Sequence, residues 1–296
     1  MPEANTSGIF RYALGVEYRG TRYNGWQRQE HREDITSLEQ LQHAQQHVSI
    51  QSWIEMALSK VADESITAIC AGRTDRGVHA REQVIHFDTR AHRPLKAWVL
   101  GTNAHLPDDI SITWTAQVDE TFHARFSATA RTYRYVITNR DSRPALGRDL
   151  MTWERRPLDF ELMHEAAQCL LGEHDFSSFR GNSCQSKTPF RNIHHIHVRG
   201  VAGVVVIEIK ANAFLHHMVR NIVGVLMQVG VGDRPRHWVH EVLDAKNRTA
   251  AGITAHANGL YLMHIDYPVS FGLPQLSLSS LQAGAVLEGL LGGDFC

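Results

Sequence analysis

The chain has 296 residues, 43% of them hydrophobic and 21% charged, with a formal net charge of −1. That length suits one large domain or two ordinary ones, the composition is that of a soluble globular protein, and no global basicity announces a nucleic-acid partner. Four cysteines, at 70, 169, 184 and 296, form no C-x-x-C and show no spacing that suggests pairing. They read as thiols of a reducing compartment rather than a disulfide framework. The first residues, M-P-E-A-N-T-S-G, lack a basic region followed by an apolar core, so no signal peptide is expected. The longest apolar run, Val201 to Ile207, is too short to span a bilayer. The expectation is a soluble cytoplasmic protein.

Taken in order, Ile9 to Tyr18 alternates as a half-buried strand, with Phe10, Tyr12, Leu14, Val16 and Tyr18 on one face. A turn rich in Gly, Arg and aromatics follows, Arg19 to Gln29. His31 to Val48 is polar, Gln- and His-heavy, and reads as an insertion. Ile50 to Val61 has helical spacing of Trp53, Ile54, Ala57, Leu58 and Val61. Strands are expected at Ile66 to Cys70 and Gln83 to Phe87, a Pro-started helix at Pro94 to Leu106, and a strand at Ile110 to Val118. The second half repeats this order. It has a strand at Arg131 to Thr138, a helix at Leu158 to Leu171, and a hairpin of Ile193 to Val198 and Val204 to Ala211 turning between Gly200 and Gly203. A long helix, Ala213 to Val229, a shorter one near His237 to Ala245, and a strand from Leu260 to Tyr267 complete it. Each half reads β-α-β-β-α-β, the ferredoxin-like or split β-α-β order. The fold class is therefore α+β: two such halves forming a mixed or antiparallel sheet, helices behind it, and a shared central cleft. The expected division is 1–120, 121–267 and an extension 268–296.

Between two apolar runs lies Ala71 to Ala80, A-G-R-T-D-R-G-V-H-A, which gathers Arg73, Asp75, Arg76 and His79 around Gly72 and Gly77. A carboxylate held between guanidiniums stays ionised at neutral pH, and is then a charged nucleophile or electrostatic stabiliser rather than a proton donor. By themselves these ten residues also fit a tight β-β loop whose Asp caps backbone amides.

Charge is uneven elsewhere. Thr121 to Arg156 holds eight Arg and no Lys against Asp141, Asp149 and Glu154, and Arg180 to Arg199 holds three Arg and Lys187 with no acid. Arg over Lys favours phosphate geometry. In T-F-H-A-R-F-S-A-T-A-R-T-Y-R-Y, Tyr133 and Tyr135 share one strand face and Arg134 takes the other. Guanidiniums can hold phosphates while a ring stacks on an unpaired base, which makes Arg125, Arg131 and Arg134 candidate phosphate contacts. One of the two tyrosines is expected to be plain core. On the long helix, His217, Arg220, Asn221, Gly224 and Gln228 form one polar stripe on an otherwise apolar surface. Either a wet cleft or a buried ion pair accounts for Arg220 there. Nineteen histidines do not by themselves make a metal site, since acidic or thiolate partners at ligand spacing are missing. No P-loop, G-x-G-x-x-G or G-x-S-x-G is present.

Together, G-W-Q-R-Q (25–29), the 71–80 segment, F-H-A-R-F-S-A (122–128), R-T-Y-R-Y (131–135), F-L-H-H-M-V-R-N-I-V-G (214–224) and G-L-Y-L (259–262) resemble the TruA family of tRNA pseudouridine synthases. The resemblance runs from Arg11 to Tyr267. It implies an isomerase acting on uridines 38, 39 and 40 of the tRNA anticodon arm, without cofactor or metal, as a homodimer. It implies Asp75 as nucleophile, Tyr133 as the ring against the target base, and Arg73 and Arg220 as substrate-binding residues flanking Asp75. The insertion at 31–48 and the tail after Pro268 depart from the family pattern, as do Ile253 and His256, which stand where prolines are expected. A catalytically silent RNA-binding protein and an enzyme on a free nucleoside are the rival readings. The intact Arg73, Asp75 and Tyr133 speak against the first, and the Arg islands against the second.

Overall fold

A computed structural model describes residues 8–28 and 48–274. Apart from Val48 and residues 268–274, the expected insertion and C-terminal extension lie outside the described residues. The described chain forms ten strands and five α-helices in two compact units, residues 8–129 with 262–274 and residues 130–261. The fold is α+β.

The first unit is built on β1 (Phe10–Tyr18), which pairs antiparallel with β3 (His79–Thr89) on one side and β4 (Ile110–Val118) on the other. The short β2 (Ile69–Cys70) adds to β3, with Cys70 opposite Ile85. This is the 4-1-3-2 antiparallel order of the ferredoxin-like pattern. The helices α1 (Ile50–Ala62) and α2 (Leu95–Asn103) cover it. Alternation along β1 buries Tyr12, Leu14, Val16 and Tyr18 as the period-2 pattern requires. Trp98 of α2 meets the rings of Tyr12 and Phe87, each at 5.1 Å between centroids. Ser49 caps α1 by accepting the Ser52 N–H, and Asp63 in the left-handed region ends it.

The expected strand at Ile66 to Cys70 is shorter than the pattern suggests, for a hydrogen-bonding reason. The Ile66 N–H donates to Ser59 Oγ and the Ala68 N–H to Glu55 Oε1, each at 3.0 Å. Those amides are committed to α1, so the ladder with β3 begins only at Ile69. At the other end of the unit, Tyr267 donates its hydroxyl to the Ala124 carbonyl at 2.6 Å and Phe271 packs edge-on against Phe122.

In the second unit β5 (Ala130–Asn139) pairs antiparallel with β9 (Val204–Ala211), β9 with β8 (Phe190–Val201), and β8 with β7 (Gly172–Asp175). A three-residue strand, β6 (Thr152–Glu154), runs parallel to β5. The helices are α3 (Phe160–Ala167), α4 (Met218–Gly230) and α5 (Trp238–Ala245). The last strand, β10 (Leu260–Asp266), begins in this unit and ends in the first. The β8-β9 turn is tighter than expected. Ala202 and Gly203, at φ 49° and 78°, form a two-residue turn, and β8 continues through Gly200. Gly200 matters instead because the Phe160 ring lies against it, where a Cβ would come within 2.4 Å.

Helix α4 starts at Met218, five residues later than its apolar spacing suggests. Asn212 Oδ1 accepts the Ala213 N–H at 2.8 Å, the Gly181 N–H takes the His216 carbonyl at 2.8 Å, and His217 adopts φ 62°. These bonds divert the chain before the helix can begin. Strands β6 and β7 are too short, and too polar, to show a period.

Candidate active site

The segment between β2 and β3 is irregular yet closely held. Gln83 donates to the Gly72 carbonyl at 2.5 Å and accepts the Gly72 N–H at 3.3 Å. Thr74 shares a hydrogen bond between its hydroxyl and that of Tyr18 at 2.8 Å, and its carbonyl accepts the Trp26 N–H at 3.0 Å. The Val78 N–H closes a turn on the Asp75 carbonyl at 3.1 Å. Buried His79 accepts the Gly20 N–H on Nδ1 at 3.0 Å.

The 19–26 turn exists in part to reach this segment. A Cβ on Gly20 would lie 1.9 Å from the Val78 carbonyl oxygen. Gly25 sits at φ +89° with its Cβ position 2.6 Å from the Thr74 oxygen. Only glycine allows the turn to approach that closely. Trp26, wholly buried, anchors the turn. The frame thus pins Gly72, Thr74, Val78 and His79, while Asp75 is half-buried and Arg73 and Arg76 are exposed.

One further group in this unit supports the segment. His86, on β3 opposite Ile69, accepts the Ala124 N–H on Nδ1 at 3.1 Å. Burial, then the charge of Arg11, push this imidazole down to about 4, so it stays neutral and remains an acceptor.

The remaining predicted residues belong to the second unit. Tyr133 lies on β5, 9% exposed, its ring edge-on to Phe214 at 5.0 Å. Tyr135, on the same face, is the core tyrosine of the pair. Its hydroxyl shares a hydrogen bond with Thr152 Oγ1 at 2.5 Å and donates to the His256 carbonyl at 2.7 Å. Burial raises its phenol well above the usual range, so it stays protonated and its one proton goes to the His256 carbonyl. Arg220 stands in the first turn of α4, half-buried, and donates Nε to the Ala255 carbonyl at 2.8 Å. Arg220 and Tyr135 therefore hold two successive carbonyls of one loop.

The polar stripe of α4 is largely explained by that loop. Fully buried Asn221 donates to the Phe179 carbonyl at 2.7 Å and accepts from Arg248 at 3.1 Å and from Thr254 at 2.6 Å. Gly224 faces Ile253, whose carbonyl oxygen would lie 1.9 Å from an added Cβ. Ile253 itself projects outward, 77% exposed. A proline is not required here, because side chains of α4 fix the backbone. Among the arginines expected to meet phosphate, Arg134 instead pairs with Glu208, its cross-strand neighbour, and Arg131 is 9% exposed and donates to the Asn212 carbonyl at 3.0 Å. Arg125 is exposed.

The histidine-rich stretches have local uses. His195 Nε2 lies 3.6 Å from Glu208, the His197 ring lies tilted against His164 at 4.6 Å, and His216 and His217 stack on each other at 3.8 Å. The sequence pattern did not mark Gln83, Thr74, Arg248 or Thr254, and placed Tyr18 only on a strand face. For Gln83 a signal existed: a polar residue at the head of an apolar strand run.

The family model described as tRNA pseudouridine synthase matches residues 16–127 and 166–268. Asp75, Arg73 and Arg220 fall inside the matched segments, and Tyr133 between them. A protein named tRNA pseudouridine synthase A from Pseudomonas aeruginosa is 53% identical over 273 residues, covering 92% of this chain and 91% of that one. Proteins of the same name from Klebsiella pneumoniae strain 342 and Photorhabdus laumondii are 53% and 54% identical, covering 95% and 89% of this chain and 98% and 94% of theirs. With matches of that extent on both units, the chain belongs to the tRNA pseudouridine synthase family and is an isomerase.

Proposed function

We propose that this enzyme converts uridine to pseudouridine at positions 38, 39 and 40 of the tRNA anticodon arm, with Asp75 as nucleophile. The observation that carries the reading is the framed 71–80 segment. Its backbone is locked by Gln83, Thr74, His79 and the 19–26 turn, while Asp75 keeps partial access to solvent next to exposed Arg73. A carboxylate on a rigid support can approach the sugar with little reorganisation.

In this reading the N1–C1′ bond breaks with Asp75 assisting at the sugar, as carboxylates do in glycosyl transfer. The released uracil turns, C5 bonds to C1′, and the C5 proton leaves to restore the aromatic uracil. Tyr133 packs on the base and its phenol oxygen relays that proton, accepting it from C5 as its own is given up, while N1 takes up a proton, so the base ends protonated at N1 instead of C5. Arg73 and Arg220 bind the substrate. The sum is an isomerisation in which no electrons are gained or lost, so the reading includes neither cofactor nor metal. Extrusion of the target from the helix stack costs about a few kcal/mol, which contacts to the RNA backbone offset.

A cytoplasmic homodimer is part of the same proposal, supported by the resemblance of the motifs. Among the described residues no helix is long and apolar enough to cross a membrane.

The test is release of tritium from C5-labelled uridine in tRNA transcripts, with free uridine as control. Asp75→Asn is expected to abolish release while tRNA affinity stays within a few-fold. Normal turnover by freshly purified Asp75→Asn protein, checked for deamidation, assigns the nucleophile elsewhere. An inactive parent protein that still binds tRNA returns the catalytically silent reading.

A further inference from the structure

Phe126 is an aromatic ring held 77% exposed on a stiff support. The support is the turn of F-H-A-R-F-S-A. The Ser127 N–H donates to the His123 carbonyl at 2.9 Å, and Ser127 Oγ accepts the His123 N–H at 2.9 Å. His123 Nδ1 accepts the amides of Arg125 and Phe126 at 3.1 and 3.2 Å. Ala124 is clamped from both sides, by His86 through its N–H and by Tyr267 through its carbonyl. Nothing in this frame needs the Phe126 ring. Hydration of an apolar ring is unfavourable, and this one has been lifted into water on a scaffold that leaves it little freedom to fold away.

Its neighbours decide what it suits. The His123 ring lies 4.4 Å from the Phe126 ring, and the Arg125 guanidinium 5.6 Å from its centroid. The turn also adjoins the 71–80 segment. His123 packs on His86 at 4.7 Å, His86 is the β3 partner of Ile69, and Ile69–Cys70 is the strand that leads into Ala71. The Cys70 thiol reports the same closeness. Burial pushes it up to about 12, and the positive charges of both Arg73 and Arg125 pull against that rise. Exposed Arg73 and Arg76 stand on either side of Asp75 in the chain, and exposed Arg125, close enough to Cys70 to act on it as Arg73 does, carries the exposed Phe126 ring beside it.

An aromatic ring beside guanidiniums is the combination that receives a single-stranded nucleotide, the ring stacking on the base and the cation meeting its phosphate. We propose that Phe126 and Arg125 form a docking position for an unpaired nucleotide of the substrate RNA next to the catalytic segment. This rests on the assignment of tRNA as substrate. Phe126 is a positioning residue: it holds the loop so that the target uridine reaches Asp75, and takes no part in bond making.

The experiment measures binding of an anticodon stem-loop transcript together with tritium release by the full-length protein. Phe126→Ala and Phe126→Leu should both raise Kd about 5- to 100-fold, the usual loss for one stacked base. Phe126→Tyr, which keeps the π-face, should bind as the parent does. Phe126→Ala and Phe126→Leu should lose more in KM than in turnover at saturating RNA, and Phe126→Tyr should lose neither. Arg125→Gln should lessen the slope of log K against log salt by about 0.7–0.9, one phosphate contact. Because Phe126 is exposed, thermal melting should be unchanged. Parent-like Kd for Phe126→Ala overturns the inference, and so does a Phe126→Leu protein that binds as tightly as Phe126→Tyr. A change in oligomeric mass with unchanged RNA affinity gives the ring to a protein contact instead, which also overturns it. If the parent releases no tritium from tRNA, the proposed function fails, and that result is separate from any of these.

Discussion

The segment 71–78 in the first unit and the loop 252–259 in the second are both irregular chain held against regular elements, and they are held differently. In each, a glycine meets a backbone carbonyl where a Cβ would stand 1.9 Å away: Gly20 at Val78, and Gly224 at Ile253. The first segment is then fixed mainly through its own backbone, to Gln83 and the 19–26 turn, and its charged residues are left toward the surface. The second loop is fixed by charged and amide side chains: Arg220 on Ala255, and Arg248 and Thr254 on Asn221. The lesson concerns polar residues in apolar settings. Asn221 and Gly224 look like a substrate-facing stripe in the sequence, yet their bonds go to the protein's own chain. Arg73 and Asp75 look similar in the sequence, and in the structure Arg73 is exposed and Asp75 half-buried.

The contrast can be broken most severely at Tyr133. If its phenol takes the C5 proton, Tyr133→Phe should reduce turnover about 10²–10⁴-fold at unchanged tRNA affinity and stability. Tyr135→Phe, by contrast, removes the bonds to Thr152 and His256 and should cost on the order of 1 kcal/mol in urea unfolding with modest kinetic effect. Reversed outcomes would exchange the roles of the two tyrosines.

Glycine replacements test the two close approaches. Gly25→Ala combines φ +89° with a Cβ 2.6 Å from the Thr74 oxygen, and should destabilise by about 2–4 kcal/mol and displace the Asp75 segment. Gly224→Ala should cost a similar amount by forcing Ile253 off α4. The two are expected to differ in substrate binding. Gly25→Ala alters the support of Asp75 directly, and should lose more turnover per kcal/mol of stability lost. Equal ratios in a joint unfolding and single-turnover series would remove the distinction drawn here.

Asn221→Leu asks what the buried amide contributes. It strands the Phe179 carbonyl and removes the acceptor of Arg248 and Thr254, with an expected loss of about 2–3 kcal/mol in urea unfolding. A loss below about 0.5 kcal/mol would mean those groups find other partners.

The smallest effect near neutrality belongs to His86. Its folded pKa, about 4, lies below the ordinary imidazole value of 6.5. The unfolded chain therefore binds this proton first as pH falls. Stability from the neutral ring is fully present above about pH 6.5 and is lost progressively as pH drops toward 4, by on the order of 2–3 kcal/mol at the end of the window. Urea unfolding from pH 7 to 4.5 should show the slope, and His86→Gln, which keeps an acceptor for Ala124, should flatten it. An equal slope in the variant would place the titrating group elsewhere.

Much was determined by the sequence alone. Period-2 alternation in β1 and β4 and helical spacing in α1 follow from local burial, so their bounds are readable from residues 10–18, 110–118 and 50–61. The Asp75 motif is legible because rare residue types stand at fixed spacing within one short stretch. Other features depended on partners distant in the chain. Ile66 to Ala68 has strand-like residues, but α1 takes two of its amides. Ala213 to His217 has helix-like apolar residues, but Asn212 and Gly181 take its backbone groups. Likewise Arg134 goes to Glu208 and Asn221 to Phe179, each more than 40 residues away. Hydrophobic period records which face is buried. It does not record which particular acceptor satisfies a buried donor, and that choice, made across the fold, separates the polar residues that hold the chain from those left to meet a substrate.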